Sequence, residues 1–179
     1  VRSWRHFNDA QRALELRELE DARGQLFRAN LFYEKGVPFV RDRRLLTNIY
    51  YYRYRHAQLQ ERSEESRELY CKYISLSRNL TGSPGTIAQY LPLQERCGET
   101  KMSGTGELIV RSRSVEGAQL YINNQPIATV SPSLPYHNPF MSAGVHLIEL
   151  RRAGYTRWGK LLTLPTGASR RLTGRLRPA

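Results

Sequence analysis

Hydrophobic spacing in this chain changes period once, near residue 105, so the two halves cannot belong to the same kind of regular element. Before that point apolar residues recur at steps of three and four. Leu19, Ala22, Leu26, Ala29 and Tyr33 fall on one face of a first helix of about thirty residues. Gly36 and then Pro38 supply its stop. Beyond them Leu45, Ile49, Tyr52, His56, Leu59, Ser63, Ser66, Tyr70 and Tyr73 alternate steps of four and three, which predicts a long second helix with a heptad-like seam. Two such helices across a short joint predict an antiparallel hairpin over residues 1–78. Ser63 and Ser66 thin its seam, so the hairpin is expected to lean on another surface.

From Glu107 onward the period is two. Leu108, Val110 and Ser112 alternate with Ile109, Arg111 and Arg113, and Ala118, Leu120 and Ile122 lead into Asn123 and Asn124, a pair tolerant of positive φ at a hairpin turn. Further strands are predicted at 145–151, 158–164 and 170–177. Residues 79–105 read as a Gly- and Pro-rich linker whose apolar middle, Ile87 to Leu93, makes a turn of helix. The expected fold class is therefore α+β with two segregated domains, a long helical hairpin and, over 106–179, a small all-β sandwich. Leu108, Val110, Leu120, Ile122, Leu147, Leu162, Leu172 and Leu176 are its expected core.

A chain of 179 residues fits one medium domain or two small ones. It carries 28 basic against 16 acidic residues, a formal net charge of +12, so a charged partner should be anionic. The excess is uneven, with 11 basic and 3 acidic residues after position 100. The longest run without a charged residue, between Glu116 and Glu149, contains four prolines and makes a poor membrane span. The start at Val1 lacks a Met and an apolar leader, and a processed or trimmed chain is expected there. Two cysteines, Cys71 and Cys97, cannot make a four-ligand zinc site; they form a disulfide or remain two buried thiols. Their position around the Gly- and Pro-rich connection favours the disulfide, and with it an oxidising compartment.

Within the second half, Gly106-Glu107-Leu108-Ile109-Val110, then Val115-Glu116-Gly117-Ala118 leading into Leu120-Tyr121-Ile122-Asn123-Asn124, then Gly144-Val145-His146 and Ala153-Gly154-Tyr155, resemble the PEGA domain family in order and spacing. Val115 stands where the family's four-residue turn has proline, and the connection from Val130 to Ala143 is longer than the family's usual short segment. The resemblance, over about residues 105–177, implies a non-catalytic β-sandwich module of exported bacterial and archaeal proteins, in the periplasm or outer envelope. The helical half carries no family signature.

Candidate sites follow from these patterns. Tyr52, His56, Leu59 and Tyr73 are the expected protein-binding face of the hairpin, with aromatic and Arg enrichment suited to an interface core. His56 reads as a hydrogen-bonded core or interface histidine, because no second ligand sits near it. Tyr50, Tyr51, Tyr52 and Tyr54 point around most of a helix and are not expected to form one platform. Alternation places Arg111 and Arg113, and Arg171, Arg175 and Arg177, on outward faces suited to an anionic polymer or acidic protein. Tyr136, His137 and Phe140 mark a candidate recognition loop within 130–143. Glu64, Glu65 and Glu68 read as a solvated face. No phosphate loop, nucleophile elbow or zinc-protease motif is present, so no cofactor is expected. The expectation is a non-enzymatic exported envelope protein that assembles with neighbouring proteins or itself, or touches peptidoglycan. A lipid anchor is the sole membrane contact expected. The alternative is a nucleic-acid or anionic-polysaccharide binding module.

Overall fold

The computed structural model describes residues 2–37, 44–81, 97 and 104–179, with the side chain of Thr81 excepted. The expected helical turn at 87–93 lies outside the described residues, as does Pro38. The fold is mixed α+β: among the described residues four helices, α1 (Arg2–Glu15), α2 (Leu19–Gly36), α3 (Arg44–Leu59) and α4 (Ser63–Thr81), precede nine strands. The chain divides into two compact units, Val1–Ser77 and Arg78–Ala179. Cys71 and Cys97 are joined in a disulfide.

Each long helix expected from the sequence is broken into two. Arg17 and Glu61, 44 positions apart, both adopt left-handed φ, 59° and 56°. At the first break the Arg17 N–H donates to Leu14 O at 3.2 Å and the Glu18 N–H to Ala13 O at 2.8 Å; at the second, Glu61 donates to Gln58 O and Arg62 to Ala57 O, both at 3.0 Å. These are paired Schellman caps, which satisfy the last carbonyls of α1 and α3 without a glycine. The result is two successive αα-hairpins with matching turns rather than one hairpin of two long rods. The predicted faces survive the break: Ala22, Leu26, Ala29 and Tyr33 of α2 and Leu45 and Ile49 of α3 are buried. Ser3 of α1 donates its hydroxyl to Ala29 O at 2.8 Å, and Phe7, Ala10 and Ala13 are buried beside it.

In the second unit β1 (Thr105–Ser112) is central in a three-stranded sheet, between β4 (Tyr136–Ser142), antiparallel to it, and β8 (Ser169–Gly174), parallel to it. A four-stranded antiparallel sheet runs in the order β3 (Gln125–Val130), β2 (Ala118–Ile122), β5 (Gly144–Arg151), β7 (Trp158–Leu164). β6 (Tyr155–Thr156) pairs with β9 (Arg177–Pro178). Leu108 and Val110 of β1, Met141 of β4 and Leu172 of β8 share one core cluster with Ala118, Leu120 and Ile122, Val130, Ile148 and Leu150, and Leu162 and Leu164 of the other sheet. All eight expected core residues are buried, although Leu147 lies outside this cluster, on the face of β5 opposite Ile148 and Leu150. Asn123 and Asn124 hold φ of 52° and 69°, the pair of left-handed residues that a tight hairpin turn needs.

Two strands occupy segments that the sequence reads as connection. β3 and β4 contain Pro126 and Pro139 and lie at sheet edges, where a missing N–H costs no ladder bond. Both are bulged against their partners, between Leu120 and Tyr121 of β2 and between Gly106 and Leu108 of β1. At the second bulge the Phe140 N–H turns to Asn138 Oδ1 at 2.9 Å. Within segment 130–143, Tyr136–Ser142 is thus an edge strand rather than part of a loop. The expected last strand is also interrupted, since Arg177 pairs with Thr156 in the small sheet instead of continuing β8. Gly174 is demanded by packing, because a Cβ there would fall 2.5 Å from Leu150 Cδ1 and 2.8 Å from the Trp158 ring.

Leu120→Ala, which opens a cavity in the centre of the cluster, should cost about 2 to 5 kcal/mol in urea unfolding. A loss below about 1 kcal/mol would show the site to be loosely packed. Reduction of the Cys71–Cys97 bond releases a loop of about 26 residues and should lower stability by about 3 kcal/mol. Thermal melts with and without reductant, alongside Cys71→Ser, test this. Coincident melts would show that the bond constrains nothing.

Candidate functional site

The helical unit presents a connected run of aromatic rings. Trp4 meets Phe7 edge-on at 5.8 Å between centroids, Phe7 meets Tyr52 at 5.3 Å, and Tyr52 meets Tyr51 at 5.5 Å. Tyr51 continues to Tyr54 at 6.2 Å and to Tyr73 at 5.5 Å, and Tyr70 closes the group against Tyr54 at 4.9 Å and Tyr73 at 6.1 Å. Tyr51, Tyr52 and Tyr54 do therefore join one ring cluster, with Tyr51 touching both of the others directly and Phe7 of α1 and Tyr70 and Tyr73 of α4 extending it. Only Tyr50 turns away; burial raises its phenol above the ordinary value, against the pull of Arg53, whose guanidinium lies 5.4 Å from the ring centroid.

Between α1 and α3 this surface opens into a cleft of about 290 Å³ lined by Gln11, Leu14, Tyr51, Tyr52, Arg55 and Leu59. Gln11 Nε2 donates to the Tyr52 hydroxyl at 2.8 Å and so fixes that ring at the wall. Leu59 is 51% exposed at the end of α3, and Leu16 and Trp4 are exposed nearby in sequence on α1 and its turn. The structure thus brings Tyr52 and Leu59 together, while Tyr73 meets the Tyr51 ring at a tilt and does not line the cleft. His56 it places elsewhere: only 3% of it is exposed, Nε2–H donates to Leu19 O at 2.7 Å, and Nδ1 accepts from Arg62 at 3.1 Å. Its ring is committed inside the unit and has no surface for a partner, which corrects its expected place on the docking face.

The second candidate surface is the outward face of the three-stranded sheet. Ile109 is registered with His137 on one side and Arg171 on the other, and Arg111 with Thr173, whose hydroxyl accepts the Arg111 Nε–H at 3.2 Å. Glu107, one of only three carboxylates after position 100, is engaged at both oxygens, by the Ser169 hydroxyl and by His137 Nε2 at 2.8 Å. Those two hydrogen bonds, Ser169 first, hold its carboxyl below the usual range. Ser169 spends its proton on the carboxylate while His137 sits on the other oxygen, so these three groups do not form a base-activated hydroxyl. Arg111, Arg113, Arg171 and Arg175 are exposed, but Arg177 belongs to β9 and leaves the row. Tyr136, His137 and Phe140 separate in the same way. Tyr136 packs against the core, His137 faces outward on Glu107, and Phe140 stands 78% exposed at the bulge.

One polar cluster escaped the sequence reading. His146 of β5 donates Nε2–H to Ser142 O at 2.8 Å, while its Nδ1 faces the Asn123 amide at 3.1 Å and the Asn79 amide at 3.5 Å. Asn123 Oδ1 accepts the Leu147 N–H at 2.9 Å, and Asn79 Nδ2 donates to Val145 O at 3.0 Å. The Gly-x-His pattern contained His146, yet nothing in spacing points to Asn79. Among the described residues no group of His, Cys, Asp and Glu is arranged to hold a metal ion, and no helix is long and apolar enough to cross a membrane. Comparison with family models, curated proteins and solved structures gives no match for this chain.

Burial pushes the His146 imidazole below its ordinary value; the Ser142 carbonyl opposes this and Arg78 adds to it. The unfolded chain, with an imidazole near pH 6.5, therefore takes up the proton first. Stability from this group should be complete above about pH 6.5 and should fall as the solution is acidified below it. Urea unfolding of the parent and of His146→Gln between pH 5 and 7.5 tests the point: the variant should lose part of the acid dependence, and parallel profiles would refute it.

Proposed function

We propose that this protein is a non-enzymatic component of an exported bacterial envelope assembly. In this reading the helical unit docks onto a neighbouring protein or a second copy, and the two sheets form a PEGA-like β-sandwich. The observation that carries it is the tyrosine-lined cleft between the first helices of two successive αα-hairpins. Stacked helix pairs offer their partners surfaces of this kind, and tyrosine supplies large contact area with little side-chain entropy to lose. Leu14, Leu59 and Arg55 around Tyr51 and Tyr52 give the cleft an amphipathic rim. The Cys71–Cys97 bond supports an oxidising compartment. Two registered strands after a Gly-Ala turn, the Asn-Asn hairpin and the shared core of both sheets support the sandwich.

A second reading rests on a different surface. Glu107 stays ionised but has both oxygens engaged by Ser169 and His137, so the more numerous outward arginines, Arg111 and Arg171 among them, leave this face with a positive excess that suits an acidic polysaccharide or acidic protein face. A nucleic-acid partner is the weaker form of this reading, since the disulfide argues for export.

Sedimentation of Leu59→Glu and of the double variant Arg111→Glu, Arg171→Glu, with crosslinking in isolated envelopes, separates the two. Leu59→Glu should weaken assembly at least tenfold, and the arginine variant should mainly slow association and flatten its salt dependence. If the arginine variant alone loses its partner while Leu59→Glu assembles as the parent does, the sheet face is the docking element and the first reading fails.

A further inference from the structure

A second cleft in the helical unit, of about 140 Å³, gathers guanidinium groups from three places in the chain: Arg23 of α2, Arg53 of α3 and Arg62 of the turn before α4. One carboxylate lines it, Glu65, and it is already bound by Arg62. Among the described residues Arg23 and Arg53 have no carboxylate partner. Such convergence repels itself unless an anion completes it. Two of the three are held in place. Arg53 lies over the Tyr50 ring, and Arg62 is fixed by Glu65 and by His56, itself anchored on Leu19 O. An anion arriving there meets donors that are partly ordered in advance and has only Arg23 to order, which favours binding.

Apart from the edge of the His56 ring, the rest of the cleft is apolar. Leu26 and Leu69 form buried lining, while Phe27 stands 64% exposed beside them, a large apolar surface that an inorganic anion has no use for. The volume lies well below the roughly 300 Å³ at which sites for drug-sized ligands begin.

We propose that this cleft binds an organic carboxylate bearing an aromatic or branched apolar group, with its carboxylate toward Arg23 and Arg53 and its apolar part on Phe27. The carboxylate comes from a small free acid or from the C-terminus of a polypeptide. The site is separate from the tyrosine cleft and stands whether or not that cleft docks a partner.

The test is amide chemical-shift titration of the full chain with phenylacetate, acetate, phenylacetamide, inorganic phosphate and the peptide Gly-Gly-Phe. Phenylacetate should give saturable shifts confined to α2, α3 and the start of α4, at least tenfold tighter than the neutral phenylacetamide. Arg23→Gln with Arg53→Gln should weaken it by about tenfold or more, and Phe27→Ala should weaken phenylacetate while leaving acetate unchanged. Arg23→Gln alone, at an exposed position, serves should the double variant not fold. Tighter binding of Gly-Gly-Phe than of phenylacetate assigns the ligand to a chain terminus, and the reverse assigns it to a free acid. Shifts scattered over arginines throughout the chain, equal binding by the arginine variant, or preference for phosphate would each overturn the proposal.

Discussion

The inward row of β1 is the constraint on which the second unit rests. Leu108 and Val110 are fully buried, and their strand is the one that both β4 and β8 pair with. Side chains alternate across a strand, so burying these two residues sends Glu107, Ile109 and Arg111 outward. A slip of one residue would place Arg111 in the core and Leu108 in water, an exchange no hydrogen-bond ladder can offset. The basic sheet face and the Glu107, His137, Ser169 contact are thus consequences of burial on the other side of the same strand. Gly106 adds to the constraint, because a Cβ there would come within 2.7 Å of the Ala168 carbonyl and push β1 away from the start of β8.

What could be read from sequence was whatever obeyed a single local rule. β1 and β2 alternate cleanly, β5 and β7 read as short apolar runs between turn residues, and Asn123 and Asn124 do what such a pair does at a hairpin. β3 and β4 were hidden by Pro126 and Pro139, which argue against a central strand but not against an edge, and sheet position is a tertiary property. The helix breaks were hidden for the converse reason. Arg17 and Glu61 give no stop signal, since their left-handed conformation is held by backbone hydrogen bonds that any residue type can make, at a cost a glycine would avoid.

The candidate sites were legible to the same degree. Tyr52 and Leu59 share a face by helical spacing and do line one cleft, whereas His56, on the same predicted seam, is drawn inward by Leu19 and Arg62, partners distant or irregular in sequence. All three lie on one unbroken helix, so spacing alone could not show that contacts from the start of α2 and from Arg62 draw His56 inward. The three-arginine cleft was invisible for the same reason, since its members come from three segments that no periodicity connects.

The pairing of β1 with β8 also bears on how this unit forms. Ile109 lies beside Arg171 and Arg111 beside Thr173, partners separated by 62 residues, and the pair is parallel. A contact so distant along the chain is closed only after a large loss of chain entropy, and topologies rich in such contacts fold slowly. Hairpin neighbours such as β2 with β3 and β5 with β7 are close in sequence and form on their own timescale. A growing chain therefore holds a nearly complete four-stranded sheet while β1 still has an open edge, and that edge closes only once β8 has been made.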